Sequence, residues 1–184
     1  MRLIVGVTGA SGSIYAVEFI RRCVPEDTYL VVSRWGRSVL HQETGLTVEN
    51  LSNFVHKIYA NEDLNSPLAS GSNPFDALVI LPCSVTTMGK IAHGIGDNLI
   101  TRMAEVALKE RRRLILCVRE TPWSTIDLEN AHKLSQAGAI IMPVSPPFYK
   151  KPTSLPDLIG TFVDKVRGVA GLPVETGWHS EELS

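Results

Sequence analysis

Long apolar runs and paired cysteines are both missing from this sequence. No apolar stretch reaches the roughly 18 residues that cross a membrane, and the chain begins directly on a strand pattern without the features of a signal peptide. The three cysteines, Cys23, Cys83 and Cys117, have no Cys-x-x-Cys spacing and lie on or beside apolar segments. We therefore expect buried free thiols, no membrane anchor and a cytoplasmic location.

An excess of either charge is missing as well. The 184 residues include 18 Lys and Arg against 19 Asp and Glu, which leaves a formal net charge of -1. The basic run at residues 109–113 is typical of a solvated helix end, and no stripe of basic residues continues it. This balance argues against nucleic acid as a partner.

The length and the hydrophobic pattern predict one domain. A chain of 184 residues, 44% of them hydrophobic, is long enough for one well-buried core and too short for two ordinary domains. We place this domain at residues 1–168 and a weakly patterned tail at residues 169–184. A stretch rich in Asn, Ser, Pro and Gly at residues 61–73 predicts a long loop.

Short aliphatic runs alternate with amphipathic stretches along the chain. Runs such as residues 77–81 and 114–118 are apolar on both faces, as expected when helices cover both sides of a parallel sheet. The predicted fold class is therefore α/β, a three-layer parallel sheet. The predicted strands lie near residues 2–8, 28–33, 77–81, 113–118 and 139–142. The predicted helices lie near residues 14–23, 35–43, 88–109, 125–137 and 155–167.

A turn of small residues, Gly9-Ala10-Ser11-Gly12, follows the first strand and leads into a helix. Glycine lets the backbone approach an anion, and the N–H groups and positive dipole end of the following helix favour negative charge. The turn suggests a phosphate site. A tight strand-to-helix connection without a ligand is the structural alternative.

Three phosphate ligands compete for such a turn. A nucleoside-triphosphate P-loop needs Lys and then Ser or Thr after its second glycine, but Gly12 is followed by Ser13 and Ile14. A dinucleotide site needs an acidic residue about 20 positions further on, whereas the next strand ends at Ser33 and Arg34. NAD is therefore disfavoured, NADP with Arg34 on its extra phosphate stays open, and a mononucleotide such as FMN fits best.

The residues that directly follow the predicted strands form a coherent set. Ligands of open α/β sheets gather at the carboxyl ends of the strands, so these segments should share one rim. They supply hydroxyls, two helix N-termini, several cations and one or two carboxylates, which suits two phosphate-like groups. The segments are residues 9–12, 33–34, 82–87, 119–122 and 143–151.

Several motifs resemble those of the UbiX-type flavin prenyltransferases, flavodoxin-like flavoproteins related to the flavin-dependent cysteine decarboxylases. The resemblance covers residues 2–166 with matching order and spacing, and the third motif is its most specific part. The motifs are Gly9-Ala10-Ser11-Gly12, Leu81-Pro82-Cys83-Ser84, Leu108-Lys109-Glu110-Arg111-Arg112 with Cys117-Val118-Arg119-Glu120-Thr121-Pro122, and Met142-Pro143 with Phe148-Tyr149.

The resemblance implies a flavodoxin-like (Rossmann-like) fold and a metal-independent enzyme with two substrates. Such an enzyme joins a dimethylallyl group from dimethylallyl monophosphate to N5 and C6 of reduced FMN, and the prenylated FMN passes to a UbiD-type decarboxylase. The family resemblance also implies a dodecamer. The low charge of residues 88–95 independently indicates a subunit interface of a homo-oligomer.

The resemblance also implies which residues bind each substrate. The prenyl phosphate would lie against Lys109, Arg119, Glu120, Tyr149 and Lys165, where cations and a phenol stabilise the departing phosphate without a metal. The implied FMN contacts are Gly9, Ala10, Ser11, Ser33, Ser84, Val85, Thr86, Thr87 and Arg119.

Proton removal and cation stabilisation complete the expected chemistry. Glu43, Glu120 and the released phosphate are the candidates for the proton acceptor, and Ser11 could relay a proton near flavin N5. For Glu43, an exposed helix position is the structural alternative. Asn73 stands where some relatives have an aromatic residue, so Phe75 or Trp178 would face the allylic cation.

Two other functions share the expected fold. A flavin-dependent cysteine decarboxylase would carry a catalytic histidine shortly before the strand at residues 77–81, but residues 66–74 contain none. A non-catalytic FMN-binding subunit of a decarboxylase would need the flavin contacts alone. Turnover with reduced FMN and prenyl phosphate separates these alternatives from the transferase.

Overall fold

A computed structural model describes residues 1–174 of the protein. Six parallel strands form one sheet in the order β3-β2-β1-β4-β5-β6. The strands are β1 (Leu3–Val7), β2 (Thr28–Val32), β3 (Lys57–Ala60), β4 (Ala77–Cys83), β5 (Arg113–Val118) and β6 (Ile140–Ile141). The helices are α1 (Ser13–Arg21), α2 (Arg34–Thr44), α3 (Val85–Ala92), α4 (Leu99–Lys109), α5 (Thr125–Gln136) and α6 (Leu155–Ala170).

Helices cover both faces of the sheet. On one face α1, α2 and α6 pack on the strands through side chains such as Phe19 and Phe162. On the other face α3, α4 and α5 do so through side chains such as Met88 and Met103. Alternate residues of each strand enter the two cores, because successive side chains of a strand point to opposite faces. The prediction of a three-layer α/β sheet is confirmed.

The pattern missed one strand. β3 (Lys57–Ala60) lies at the edge of the sheet and pairs only with β2, and its residues are exposed or half-buried. An edge strand of this kind has no apolar run for the sequence pattern to show. The prediction of five strands was therefore wrong by one, and the loop after β3 begins at Asn61.

The predicted helix at residues 88–109 is two helices. Ser84 caps α3, which begins at Val85 and stops before Gly94, whose φ of +67° is a left-handed conformation that ends a helix. A second helix then starts at Asn98, whose side chain accepts a hydrogen bond from the N–H of Thr101 at 3.1 Å. The break gives this part of the molecule a second helix N-terminus, at Asn98.

The reversal of strand order locates the binding crevice. From β1 the chain proceeds to β2 and β3 on one side, and β4 then starts the other half of the sheet beside β1. Loops after β1 and β4 leave in opposite directions and open a crevice, which is where open α/β sheets bind ligands. The site should therefore lie between residues 8–12 and residues 84–87.

The three cysteines are free, as the sequence indicates, and two of them are buried. Cys83 and Cys117 are buried, Cys23 is half-buried, and all three are free. Burial raises the pKa of Cys23 and of Cys83 to about 12, so neither is a ready nucleophile. Within residues 1–174, no helix combines the length and the apolar character needed to cross a membrane.

Gly36→Ala should destabilise the protein because α2 packs directly on the end of β1. A Cβ on Gly36 would lie 2.6 Å from the Val7 carbonyl oxygen, which is backbone and cannot move aside. We expect a loss of roughly 1–3 kcal/mol in the free energy of unfolding, measured by urea denaturation. In Gly168→Ala the new Cβ meets only Val174 at 3.6 Å, so this second helical glycine is the matched control. The control should be neutral or stabilising, and an equal loss in both variants would contradict the steric argument.

Candidate active site

A cavity of about 390 Å³ lies at the carboxyl edge of the sheet, at the crevice between β1 and β4. Its walls come from the segments that follow β1, β2, β3 and β4 and from the start of α4. The lining residues are Thr8, Gly9, Ser33, Arg34, Trp35, Asn61, Glu62, Ser84, Thr86, Thr87, Lys90 and Asn98. Five of the predicted FMN contacts (Gly9, Ser33, Ser84, Thr86 and Thr87) therefore share one cavity.

Three capped helix ends face this cavity. Ser33 caps α2 by accepting a hydrogen bond from the N–H of Gly36 at 3.0 Å, and Ser84 caps α3 by accepting one from the N–H of Thr87 at 3.2 Å. Asn98 caps α4 in the same way. The first turns of α2 and α3 direct N–H groups and positive dipole ends toward the space between them, whereas Asn61 and Asn98 already accept the first N–H groups of α4. The arrangement suits an anionic group such as a phosphate.

The end of α1 is different because a carboxylate of the chain already occupies it. Oε2 of Glu43 accepts hydrogen bonds from the N–H of Gly12 at 3.0 Å and of Ser13 at 2.8 Å. Partial burial raises the pKa of Glu43, but hydrogen bonds from the Ser11 hydroxyl and these two N–H groups outweigh it. The resulting pKa lies below the ordinary value. The turn singled out as a phosphate site thus has Glu43 in the anion position, and α2 and α3 are the helix ends that face the cavity.

Close packing at two glycines shapes the same region. A Cβ on Gly9 would lie 2.5 Å from the Cβ of Trp35, so only glycine lets α2 approach the end of β1 this closely. Gly12 has a φ of +101°, and a Cβ there would lie 4.0 Å from Cγ of Arg119. Arg119 therefore lies beside the turn that contains Ser11 and whose N–H groups donate to the Glu43 carboxylate.

Arg119 and Glu120 follow β5 at this edge. The N–H of Arg119 donates to the Cys83 carbonyl at 3.1 Å, and β5 ends one residue earlier, at Val118. The exposed side chain of Glu120 accepts a hydrogen bond from the N–H of Thr121 at 2.9 Å. Both side chains belong to the same rim of the sheet as the cavity.

The structure does not bring every predicted substrate contact to this rim. Lys109 is the last residue of α4, four residues before β5 begins at Arg113, so it lies at the amino edge of the sheet, where it pairs with Glu110. Lys165 stands ten residues beyond Leu155 on α6, or about 15 Å along the helix, also away from the carboxyl edge. Tyr149 is exposed in the segment between β6 and α6.

Of the two aromatic residues expected to face the allylic cation, the structure describes only Phe75. Phe75 is buried at the start of β4, and the Arg112 guanidinium lies 4.7 Å from its ring centroid. Its ring face is therefore already covered by a cation of the chain, and its position is at the amino edge. Trp178 lies outside the described residues.

Sequence reasoning missed several residues of the cavity wall. Asn61 was not predicted as a site residue because β3, the strand that it follows, was not predicted. A position directly after a strand is the signal that identified the other segments of the rim. Its backbone carbonyl and side-chain Oδ1 accept the N–H groups of Leu99 and Ile100 at 2.7 and 3.1 Å. Thr8 and Trp35 adjoin predicted contacts. Within the described part of the chain, His, Cys, Asp and Glu side chains form no group of three that could hold a metal ion.

These features define a class: an open parallel α/β sheet that presents capped helix ends and hydroxyls at its switch point, as in nucleotide-binding flavodoxin-like proteins. Residues 1–167 match the protein-family model described as Flavoprotein, and the chain belongs to that family. It is 46% identical over 172 residues to the flavin prenyltransferase UbiX of Thermoplasma acidophilum, with 94% of this chain and 96% of that protein covered. The expected resemblance to UbiX-type enzymes is confirmed.

Two solved structures support the same assignment. A UbiX crystal structure in complex with FMN and dimethylallyl pyrophosphate has a TM-score of 0.90 and 34% identity, with 97% of this chain and 98% of that chain covered. The dodecameric FMN-dependent UbiX-like decarboxylase of Escherichia coli O157:H7 has a TM-score of 0.91 and 34% identity, with 97% and 100% covered. The flavodoxin-like fold and the class of flavin prenyltransferases are therefore confirmed.

Proposed function

We propose that this protein joins a dimethylallyl group from dimethylallyl monophosphate to N5 and C6 of reduced FMN, and that a UbiD-type decarboxylase uses the product. One observation carries the proposal: two features lie at the same rim of the sheet. One is the cavity with its helix ends, and the other is Arg119, which lies beside the pair formed by Ser11 and Glu43. A flavin phosphate, a departing phosphate and a proton acceptor are the groups that the reaction requires there. The similarity to UbiX proteins supports this combination.

FMN fits the donors of the cavity. Its single phosphate would lie at the ends of α2 and α3, where the capping hydroxyls of Ser33 and Ser84 and the side chains of Thr86 and Thr87 surround the helix N–H groups. Gly9 and Trp35, which pack closely on each other, line the cavity beside these donors. Bound FMN supplies the nucleophilic flavin nitrogen and carbon, and the protein supplies orientation.

Arg119 would stabilise the leaving phosphate. Cleavage of an allylic carbon–oxygen bond puts negative charge on the departing oxygen, and a guanidinium that donates two hydrogen bonds favours that charge. The half-buried Arg119 lies beside Gly12, next to the end of α1. Tyr149, on the segment after β6, would add a phenolic donor.

Glu43 is the favoured proton acceptor because it is connected to the rim. Its carboxylate accepts hydrogen bonds from the Ser11 hydroxyl and from the N–H groups at the end of α1, so a proton acceptor lies next to a hydroxyl of the rim. Ser11 would pass a proton between the flavin and this carboxylate. Glu120 is the alternative acceptor, because it adjoins Arg119 at the same edge.

A second copy of the chain would supply Lys109 and Lys165, since both lie toward the amino edge within one protomer. The dodecameric UbiX-like relative supports a homo-oligomer of that size. Within residues 88–95, Met88 and Ile91 are buried in the protomer's own core, whereas Ile95 is exposed and remains available for a subunit interface. Further exposed apolar side chains are those of Trp35, Ile126, Leu128, Phe148 and Leu155. The cytoplasmic location remains a prediction.

The protein should bind FMN and not NADP. Although Arg34 lines the cavity, its guanidinium lies 5.6 Å from the Trp35 ring centroid, and the cavity offers one group of phosphate donors rather than a dinucleotide site. Titration of the purified protein with each ligand, followed by flavin fluorescence and by calorimetry, checks this. Tight NADP binding without affinity for FMN would overturn the proposed function.

Turnover decides between the three functions. Mass spectrometry of the flavin after anaerobic incubation with reduced FMN and dimethylallyl monophosphate should show the prenyl adduct, and the diphosphate can be compared in parallel. FMN binding without this adduct would instead indicate a non-catalytic flavin-binding subunit. Release of CO₂ from a peptide with a C-terminal cysteine would indicate a cysteine decarboxylase.

A further inference from the structure

Thr8 connects the two loops that border the crevice. It is buried, with 2% of its surface exposed, and directly follows β1. Its hydroxyl donates a hydrogen bond to the Pro82 carbonyl at 2.8 Å and accepts one from the N–H of Ser84 at 2.8 Å. Its own N–H also donates to the Pro82 carbonyl at 3.2 Å. The side chain therefore uses both hydrogen-bonding functions of its hydroxyl on the end of β4.

The regular pairing between β1 and β4 does not extend to this part of β4. The ladder between β1 and β4 ends at the pair Gly6 and Ile80, and the register of β4 on β5 shifts between Ile80 and Cys83. Pro82 has no N–H to donate to either neighbour. The Thr8 hydroxyl thus adds a side-chain contact where the pairing of β1 with β4 has ended, and without it the half-buried N–H of Ser84 would lose its acceptor.

The contact continues from Thr8 into the cavity. Ser84 caps α3 through the N–H of Thr87, and its Oγ also donates to Oγ1 of Thr87 at 3.0 Å. Ser84, Thr86 and Thr87 all line the cavity, as Thr8 does itself. A shift of the Ser84 backbone would therefore displace the donors at the end of α3 relative to Gly9 on the opposite wall.

We propose that Thr8 is a positioning residue of the flavin site: its hydroxyl sets the Ser84 cap, and with it the end of α3, at the spacing that the FMN phosphate requires. This inference rests on the proposed function, since it assumes that FMN occupies the cavity. Thr8 acts through Ser84, so its loss should weaken FMN binding without removing any group that reacts.

Thr8→Val and Thr8→Ser test the role of the hydroxyl. Valine keeps the shape of the side chain and removes both hydrogen bonds, whereas serine keeps the hydroxyl. We expect Thr8→Val to raise the Kd for FMN about tenfold and to raise the KM for FMN more than it lowers kcat. Thr8→Ser should restore the affinity to within about threefold of the unsubstituted protein. Visible circular dichroism of the bound flavin should change in Thr8→Val alone.

The matched control is Thr28→Val, at a second buried threonine far from the cavity whose hydroxyl donates to the Val24 carbonyl at 2.7 Å. Both valine variants should lower the Tm, but only Thr8→Val should weaken FMN binding. Equal FMN affinity in Thr8→Val and the unsubstituted protein would overturn the positioning role. Absence of FMN binding in the unsubstituted protein would instead overturn the proposed function. If Thr8→Val does not accumulate as folded protein, Thr8→Ala takes its place. Thr8→Ala should also weaken FMN binding, and unchanged FMN affinity in this variant would also overturn the positioning role.

Discussion

Arg119→Ala should lower kcat/KM for prenyl transfer by about 10- to 150-fold, with a smaller effect on FMN affinity. A charged donor to a phosphate contributes roughly 1.5–3 kcal/mol, and about 1.4 kcal/mol corresponds to a tenfold change in rate. Arg119 lies beside the end of α1, outside the group of capping hydroxyls in the cavity, so its loss should leave the FMN phosphate site largely intact. Steady-state kinetics with reduced FMN and dimethylallyl monophosphate, together with FMN titration, measure both quantities.

Two variants provide the comparison for Arg119. Tyr149→Phe removes a neutral hydroxyl, and we expect about half the loss in free energy that Arg119→Ala causes. Arg37→Ala removes an exposed arginine whose ion pair with Glu49 is long, at 3.7 Å, and it should have wild-type kinetics. If Arg119→Ala retains full turnover and only the Tm falls, Arg119 is a structural residue.

Glu43→Gln should preserve folding and FMN binding and slow formation of the new flavin ring by at least about 100-fold. The glutamine amide oxygen can still accept the N–H groups of Gly12 and Ser13, but the side chain no longer accepts a proton. Stopped-flow spectra under anaerobic conditions should show the slow phase. Glu120→Gln is the matched variant, because it changes the other candidate carboxylate at the same edge. A slow phase in Glu120→Gln with normal kinetics in Glu43→Gln would transfer the acceptor role to Glu120.

The same carboxylate should make stability depend on pH. Because the pKa of Glu43 is lower in the folded protein than in the unfolded chain, its ionisation stabilises the fold above the unfolded pKa. That contribution is lost as the pH falls through the lowered pKa of the folded state. The difference in Tm between the unsubstituted protein and Glu43→Gln should therefore shrink toward zero in this acidic range. A difference that stays constant with pH would show that the carboxylate charge does not stabilise α1.

Much of the fold could be predicted because the central strands are buried on both faces. Such strands are visible in the sequence as aliphatic runs, and predicting the strands also located the loops that follow them. β3 (Lys57–Ala60) could not be found in this way, and the cavity residue Asn61 was lost with it. The break between α3 and α4 was missed because residues 88–109 are apolar enough to suggest one helix. The hydrophobic pattern alone does not show that Gly94 adopts a left-handed conformation.

The site could be predicted only as a set of residues at one edge. The contact between Glu43 and Gly12 joins residues 31 positions apart, and no local pattern reports which helix end a distant carboxylate will occupy. The motifs containing Lys109 resemble the family as strongly as those containing Arg119. Topology nevertheless separates these two residues across the sheet, and the spacing of a motif does not show at which edge of the sheet each of its residues lies.

The carboxylate at the end of α1 gives the crevice an electrostatic polarity. Of the helix ends on this rim, α1 is neutralised by Glu43, whereas α2 and α3 end in uncharged hydroxyl caps. The flavin phosphate is then favoured at the ends of α2 and α3, because at the end of α1 it would meet the charge of Glu43. The chain therefore positions the phosphate through repulsion at one end of the crevice as well as through attraction at the other.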